Sequence, residues 1–159
     1  MIRKTLGWVL IAGAVWQVSA VAGTATVKYP KDWREWTHVK TLILQAGHPL
    51  ADPFEGLHHV YVNPAGKEAI KAGKTPLPEG TVLVFDLHES AAADNAIAEG
   101  PRKFIGVMEK STKKFDSTGG WGFEAFKGDS QERAVTDGGA SCWTCHAGQP
   151  DGVFSKWTK

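Results

Sequence analysis

Thr81-Val82-Leu83-Val84-Phe85-Asp86-Leu87 is the stretch that decides the fold class. Val82, Leu83, Val84 and Phe85 favour an extended chain, and Pro76, Pro78 and Gly80 make the turn before it. Working back from this strand, Leu57 to Val62 reads as another. It is stopped by Asn63-Pro64, where Asn63 can cap and Pro64 suits the first position of a short helix over 65–72 that ends at Gly73. Thr37 to Gln45 is a third strand, with Val39, Thr41 and Ile43 alternating against His38, Lys40, Leu42 and Leu44. Both its faces are partly apolar, so one side can meet a partner element. Gly47 to Pro53 is a turn-rich loop, because each of its two prolines lacks a ladder donor. Asp32 is expected to cap a short helical turn carrying Trp33 and Trp36, preceded by a loose arm over 23–31.

Working forward, the small and polar run 89–101 reads as loop or weak helix. Phe104–Glu109 and Trp121–Phe126 read as two more strands, joined by a long hairpin connection. After Gly128 the chain is polar until Gly138-Gly139-Ala140-Ser141, where Ser141 is expected to cap a last short helix over 142–147. No internal repeat is evident. The fold class is therefore mainly β, an antiparallel sheet with short helices, one of them near the carboxyl end.

The 159 residues carry 18 Lys and Arg against 17 Asp and Glu, and 42% are hydrophobic. This suits one globular domain. The charge balance argues against a nucleic-acid binder resting on many phosphate contacts, and the hydrophobic fraction argues against global disorder. Two cysteines cannot staple a disulfide-dense scaffold.

Residues 1–22 have the layout of a secretory signal peptide. Arg3 and Lys4 form a positive start, Leu6 to Val15 is apolar, and Ala20-Val21-Ala22 is a small-x-small cleavage pattern before Gly23. The apolar run is shorter than the roughly 20 residues of a spanning helix. Cleavage after Ala22 would remove Arg3 and Lys4 and leave one net negative charge on a single domain over 23–159. No later stretch is apolar enough to cross a membrane. The expectation is an exported, periplasmic protein.

One motif carries chemistry. Cys142-Trp143-Thr144-Cys145-His146 is the Cys-x-x-Cys-His pattern of covalent haem attachment. On one helical turn two thiols can reach the two vinyl groups of a haem edge and form thioethers. The following imidazole then projects toward the iron, for which a neutral ring nitrogen is a good ligand. The reading is haem c, one per chain, held by Cys142 and Cys145 with His146 as proximal ligand. A zinc site, a thioredoxin-like pair or a plain disulfide are alternatives. The first lacks a second cysteine pair, the second a βαβ setting, and the third leaves His146 without a role. The opposite side of the iron decides the function. Met108, His38, His48, His58, His59 and His88 are the candidate sixth ligands. His58 and His59 are neighbours on a strand and face opposite sides, so at most one enters a pocket.

Trp33-Arg34-Glu35-Trp36, Asp52-Pro53-Phe54, His59 to Pro64, Glu79 to Leu87, the Cys142–His146 motif and Val153-Phe154-Ser155 follow one another in an order that spans most of the chain. In this the sequence resembles the cytochrome P-460/cytochrome c′-β family. The resemblance implies a predominantly β fold, a homodimer and a high-spin haem. It also implies, for P-460 members, oxidation of hydroxylamine with a lysine cross-linked to the haem. At the position matching that lysine this chain has Phe85, which has no amine, so the resemblance leans to the c′-β branch. That branch implies binding of NO and CO at an apolar distal face capped by two phenylalanines, here Phe54 and Phe85. An arginine of P-460 members is matched by His58, or by His59 with a slip of one residue. From the residues alone, Phe54 and Phe85 read equally as core aromatics.

Three functions follow as expectations. The first is a gas-binding cytochrome with a vacant sixth position. The second is a hydroxylamine- or NO-oxidising enzyme, for which Lys67, Lys71 and Lys74 are the nearest lysines but lie on the helix-turn segment. The third is an electron-transfer cytochrome with Met108 or a histidine on the iron. A redox partner protein is implied for any of them.

Overall fold

The computed structural model describes residues 26–158. The expected signal segment 1–22 lies outside the described residues, as does the start of the expected arm. Five strands form one sheet in the order β1 to β5, every neighbour antiparallel. They are β1 (Thr37–Leu44), β2 (Gly56–Val62), β3 (Val82–Ala93), β4 (Ala96–Lys110) and β5 (Trp121–Lys127). Three short helices decorate it, α1 (Ala51–Phe54), α2 (Pro64–Lys71) and α3 (Ala140–His146). The expected fold class, a mainly β antiparallel sheet with short helices, is the one observed. Among the described residues no helix is long and apolar enough to cross a membrane.

Period-two alternation sorts the strand residues onto two faces. Val39, Val60, Val62, Leu83, Trp121 and Phe123 bury together on one face, under Ile70 of α2 and Leu77. Val84, Ile105, Val107 and Phe126 bury on the other, under Val27, Trp33 and Phe115. The register stacks side chains of the first face in rows: Val62–Leu83–Met108–Phe123, then Val60–Phe85–Gly106–Ala125, then His58–Leu87–Phe104–Lys127. Successive rows stand about 7 Å apart, two residues of strand rise.

Local signals explain the parts read correctly. The Asn63 side chain accepts from the Gly66 and Val82 amides at 3.2 and 3.0 Å, and Pro64 opens α2. The structure corrects four expectations. Residues 89–101 are neither loop nor weak helix. They form a two-stranded ribbon in which β3 and β4 run past the sheet, closed by Asp94 and Asn95 at φ +52° and +60°. That left-handed pair is the turn whose twist matches a hairpin. Ser141 lies inside α3, not at its cap. Gly139 stands at the cap position in a left-handed conformation, and the Asp137 carboxylate accepts from the Gly139 and Ser141 amides at 2.9 and 2.8 Å. Hydrogen bonding from the Ser141 side chain first, then from the Ser141 and Gly139 amides, holds the Asp137 carboxyl below the usual carboxylate range. Asp32 precedes the turn Trp33–Glu35, but its side chain makes no capping bond. The loop before β2 contains the short turn α1, which carries Phe54.

Candidate functional site

The Cys142–His146 motif occupies α3, packed near Phe123 of β5. The Trp143 ring is seated where a Cβ on Gly119 would come within 2.3 Å of it, so that glycine is the bed for the helix. Cys142 is half-buried and Cys145 exposed, and both are free thiols. Burial pushes the Cys142 thiol pKa up. His146 lies between two rings, its centroid 5.0 Å from Phe123 and 5.0 Å from Phe154. Its Nδ1–H donates to the Gly152 carbonyl at 2.7 Å. A carbonyl only accepts, so this bond fixes the tautomer and leaves the lone pair on Nε2. Burial holds the His146 pKa below the ordinary histidine value, which keeps the ring in the neutral form an iron needs. Among the described residues, no three His, Cys, Asp or Glu side chains converge on a metal-sized site.

Beyond the Phe123 row the sheet face changes character. Phe85, Gly106 and Ala125, and Phe54 and Phe104 beside them, are only half-buried. Phe54, Phe85 and Phe104 form an aromatic triad with centroid separations of 6.2, 6.0 and 5.7 Å. A Cβ on Gly106 would meet Phe85 at 3.1 Å and Phe104 at 3.6 Å, so the bare glycine is what lets these rings lean over β4. The sequence singled out Phe54 and Phe85, and the structure brings them together. It missed Phe104. The signal was there in Phe104-Ile105-Gly106, which puts a ring and a gap two residues apart on the Phe85 face.

His58 lies on that face and His59 on the other. The His58 ring packs edge-on against Phe85 at 4.6 Å, and its Nε2–H donates to the Phe54 carbonyl at 2.5 Å. Burial is the main reason its pKa falls below the ordinary value, with Lys103, His59 and His48 adding to it. A neutral imidazole has one N–H, and in His58 it is committed to α1. His59 is bound to Thr41 and Glu99, and His38 reaches the same Thr41 hydroxyl. His88 sits by Asp86, and its Nδ1–H donates to the Gly100 carbonyl at 3.0 Å. His48 is on the exposed loop, where its Nδ1 accepts from the Leu50 amide. Of the sixth-ligand candidates, His58 and Met108 share the motif's sheet face. Met108 packs in the cluster that Cys142 and Trp143 adjoin.

This donor set and surface fit a haem. An imidazole with a free, neutral Nε2 and two unpaired thiols stand on one helix. Beside them is apolar aromatic surface that the protein leaves partly uncovered, including Phe154 at 46% exposure. Lys67 and Lys71 lie on α2, and Lys74 just after it, not on β3 with Phe85. The sequence model of the family described as Cytochrome P460 matches residues 30–155, most of the chain. No curated protein matches it. The chain belongs to the cytochrome P460 family, and the family implies a haem cofactor.

Proposed function

We propose that this family member is a periplasmic cytochrome of the c′-β kind, which binds NO, and CO, at an apolar distal face for NO binding, transport or detoxification. Haem supplies an iron able to take a diatomic gas. Cys142 and Cys145 hold it covalently, one haem per chain, and His146 ligates it through Nε2, oriented by the Gly152 carbonyl.

One observation carries the reading. The Phe54–Phe85–Phe104 triad lines the face beside the motif, and the one histidine next to it, His58, has spent its N–H on the Phe54 carbonyl. A hydrogen bond to a charged acceptor is worth about 1.5–3 kcal/mol. Dioxygen as a haem ligand gains that term from a donor, and NO and CO need it far less. Withholding the donor therefore favours NO. Phe85 also speaks against the hydroxylamine-oxidising reading, since the resemblance puts the cross-linked lysine at that position.

Export rests on the N-terminal pattern and the homodimer on the family resemblance, while a redox partner protein goes with the haem reading itself. Absorption spectra of the purified protein, oxidised, reduced and with NO, test the reading. A high-spin reduced spectrum that changes with NO supports it. A split low-spin reduced spectrum with no response to NO points instead to a sixth protein ligand and overturns it. A red-shifted haem band with turnover of hydroxylamine overturns it in favour of the enzyme. N-terminal sequencing for a start at Gly23 and a light-scattering mass test export and the dimer.

A further inference from the structure

We propose that Lys110 and Asp151 are positioning residues for the proximal imidazole, a buried ion pair that holds the turn whose carbonyl receives the His146 N–H. The inference rests on His146 being the iron ligand. Lys110 is the last residue of β4, far from the motif in sequence. Its side chain is 6% exposed and that of Asp151 10%, and Lys110 Nζ donates to Asp151 Oδ1 at 2.5 Å. The other carboxylate oxygen accepts from the Leu77 amide at 2.6 Å. The Asp151 carbonyl accepts from Trp121 Nε1 at 2.8 Å, and Lys110 Nζ lies 4.9 Å from the Trp121 ring centroid. Asp151 itself is in the left-handed region at φ +50°, which aspartate and asparagine enter more readily than most residues. One peptide further on is the Gly152 carbonyl that takes the His146 Nδ1–H.

Asp151 is thus anchored at both side-chain oxygens and at its carbonyl, one residue before the acceptor for His146. Volume alone would not need this arrangement, since well-packed apolar side chains fill a buried ion pair's space at no loss of stability. The pair instead fixes a direction. An acceptor on the distant ring nitrogen raises the donor strength of the metal-bound one and sets the ring's orientation, and such supports commonly count for about tenfold or more.

The test uses haem-loaded Lys110→Met, Asp151→Asn and the double variant K110M/D151N. Asparagine tolerates the left-handed backbone, and methionine keeps the lysine stem's packing. The readouts are the one-electron reduction potential and the iron–imidazole Raman band. A less basic His146 favours the ferrous form, so the ferrous-to-ferric ratio at fixed potential rises about tenfold, a shift of about 59 mV, and the Raman band falls in frequency. A single variant can fail to fold because it strands one buried charge. The double variant removes both charges and gives the same readout. A folded double variant with an unchanged potential and band, and only a lower Tm, overturns the proposal. His146→Ala separates the two failures. If it leaves the haem spectrum unchanged, the ligand assignment itself is wrong. If it abolishes the spectrum while the pair variants change nothing, only the positioning role is lost.

Discussion

The two faces of the one sheet are finished to different degrees. On the face carrying Val84, Ile105, Val107 and Phe126, the chain supplies its own cover from Val27, Tyr29, Trp33, Trp36 and Phe115. Tyr29 meets Phe126 edge-on at 5.0 Å, and Trp33 meets Tyr61 at 5.1 Å. On the other face, α2 and α3 cover the row that runs from Val62 to Phe123 and stop. The rings of Phe54, Phe85 and Phe104 beyond them stay half-exposed. The closed face is a core that the polypeptide completes alone. The open face keeps apolar surface for a flat, apolar guest, and His146 and both thiols stand beside it.

The largest effect expected from this contrast is in stability. Phe126→Ala, at 1% exposure on the closed face, should cost about 3–5 kcal/mol in urea unfolding. Phe85→Ala in protein made without haem should cost about 1 kcal/mol, since a half-covered ring gains only part of the full burial term. Equal losses at the two positions would mean that the open face is packed as firmly as the closed one, and the contrast would fail.

Next in size is ligand choice. Phe85→Gln puts an amide donor where the triad has none. It should strengthen dioxygen binding to the reduced protein about tenfold or more, the worth of one charge-assisted hydrogen bond, and leave NO nearly unchanged. Ligand titrations of both proteins measure it. An equal gain for both gases would show that the rings act by bulk and not by withholding a donor.

A smaller effect tests the finished end of the open face. Asn63 caps α2 and also accepts from the Val82 amide, tying the helix to β3. Asn63→Ala should cost about 1 kcal/mol, read from the denaturation midpoint, with the haem spectrum unchanged because the lost bonds, to the Gly66 and Val82 amides and the Gly80 carbonyl, involve neither the Cys142–His146 motif nor the aromatic triad.

What the sequence revealed follows the range of the interactions involved. Asn63-Pro64 was legible because a cap and a proline act within four residues. The Cys142–His146 motif was legible because its chemistry fits on one helical turn. Residues 89–101 were not, because Ala91 to Ala93 and Ala96 to Ala98 have no period, and the turn depends on two left-handed residues that most sequences avoid. The cap of α3 passed from Ser141 to Asp137 because two glycines fold the carboxylate back over the first turn. Phe104 joins Phe54 and Phe85 only once the register sets Gly106 opposite Phe85. The choice between His58 and His59 is likewise a parity that only strand pairing resolves. Lys110 and Asp151 are far apart in sequence, and nothing local joins them.

The smallest effect is a pH dependence, and it touches the hinge between the two kinds of surface. His58 is 4% exposed and fastens α1, with Phe54, to the sheet through its Nε2–H. Its folded pKa lies below the ordinary value, chiefly through burial, which is about 6.5 for an unperturbed histidine. The unfolded chain therefore binds a proton before the folded protein does. Stability from this group is fully present above about pH 6.5 and is lost as the pH falls toward the lower folded pKa. His146 shares that direction in protein made without haem, so the comparison belongs in the haem-loaded protein, where the proposed ligation would put iron on its nitrogen. Tm measured from pH 8 to pH 5 should fall more for the native protein than for His58→Gln, whose amide can still donate to the Phe54 carbonyl but does not titrate. Parallel curves would mean that His58 accepts its proton at no cost, and that α1 is not held over the open face by a neutral imidazole.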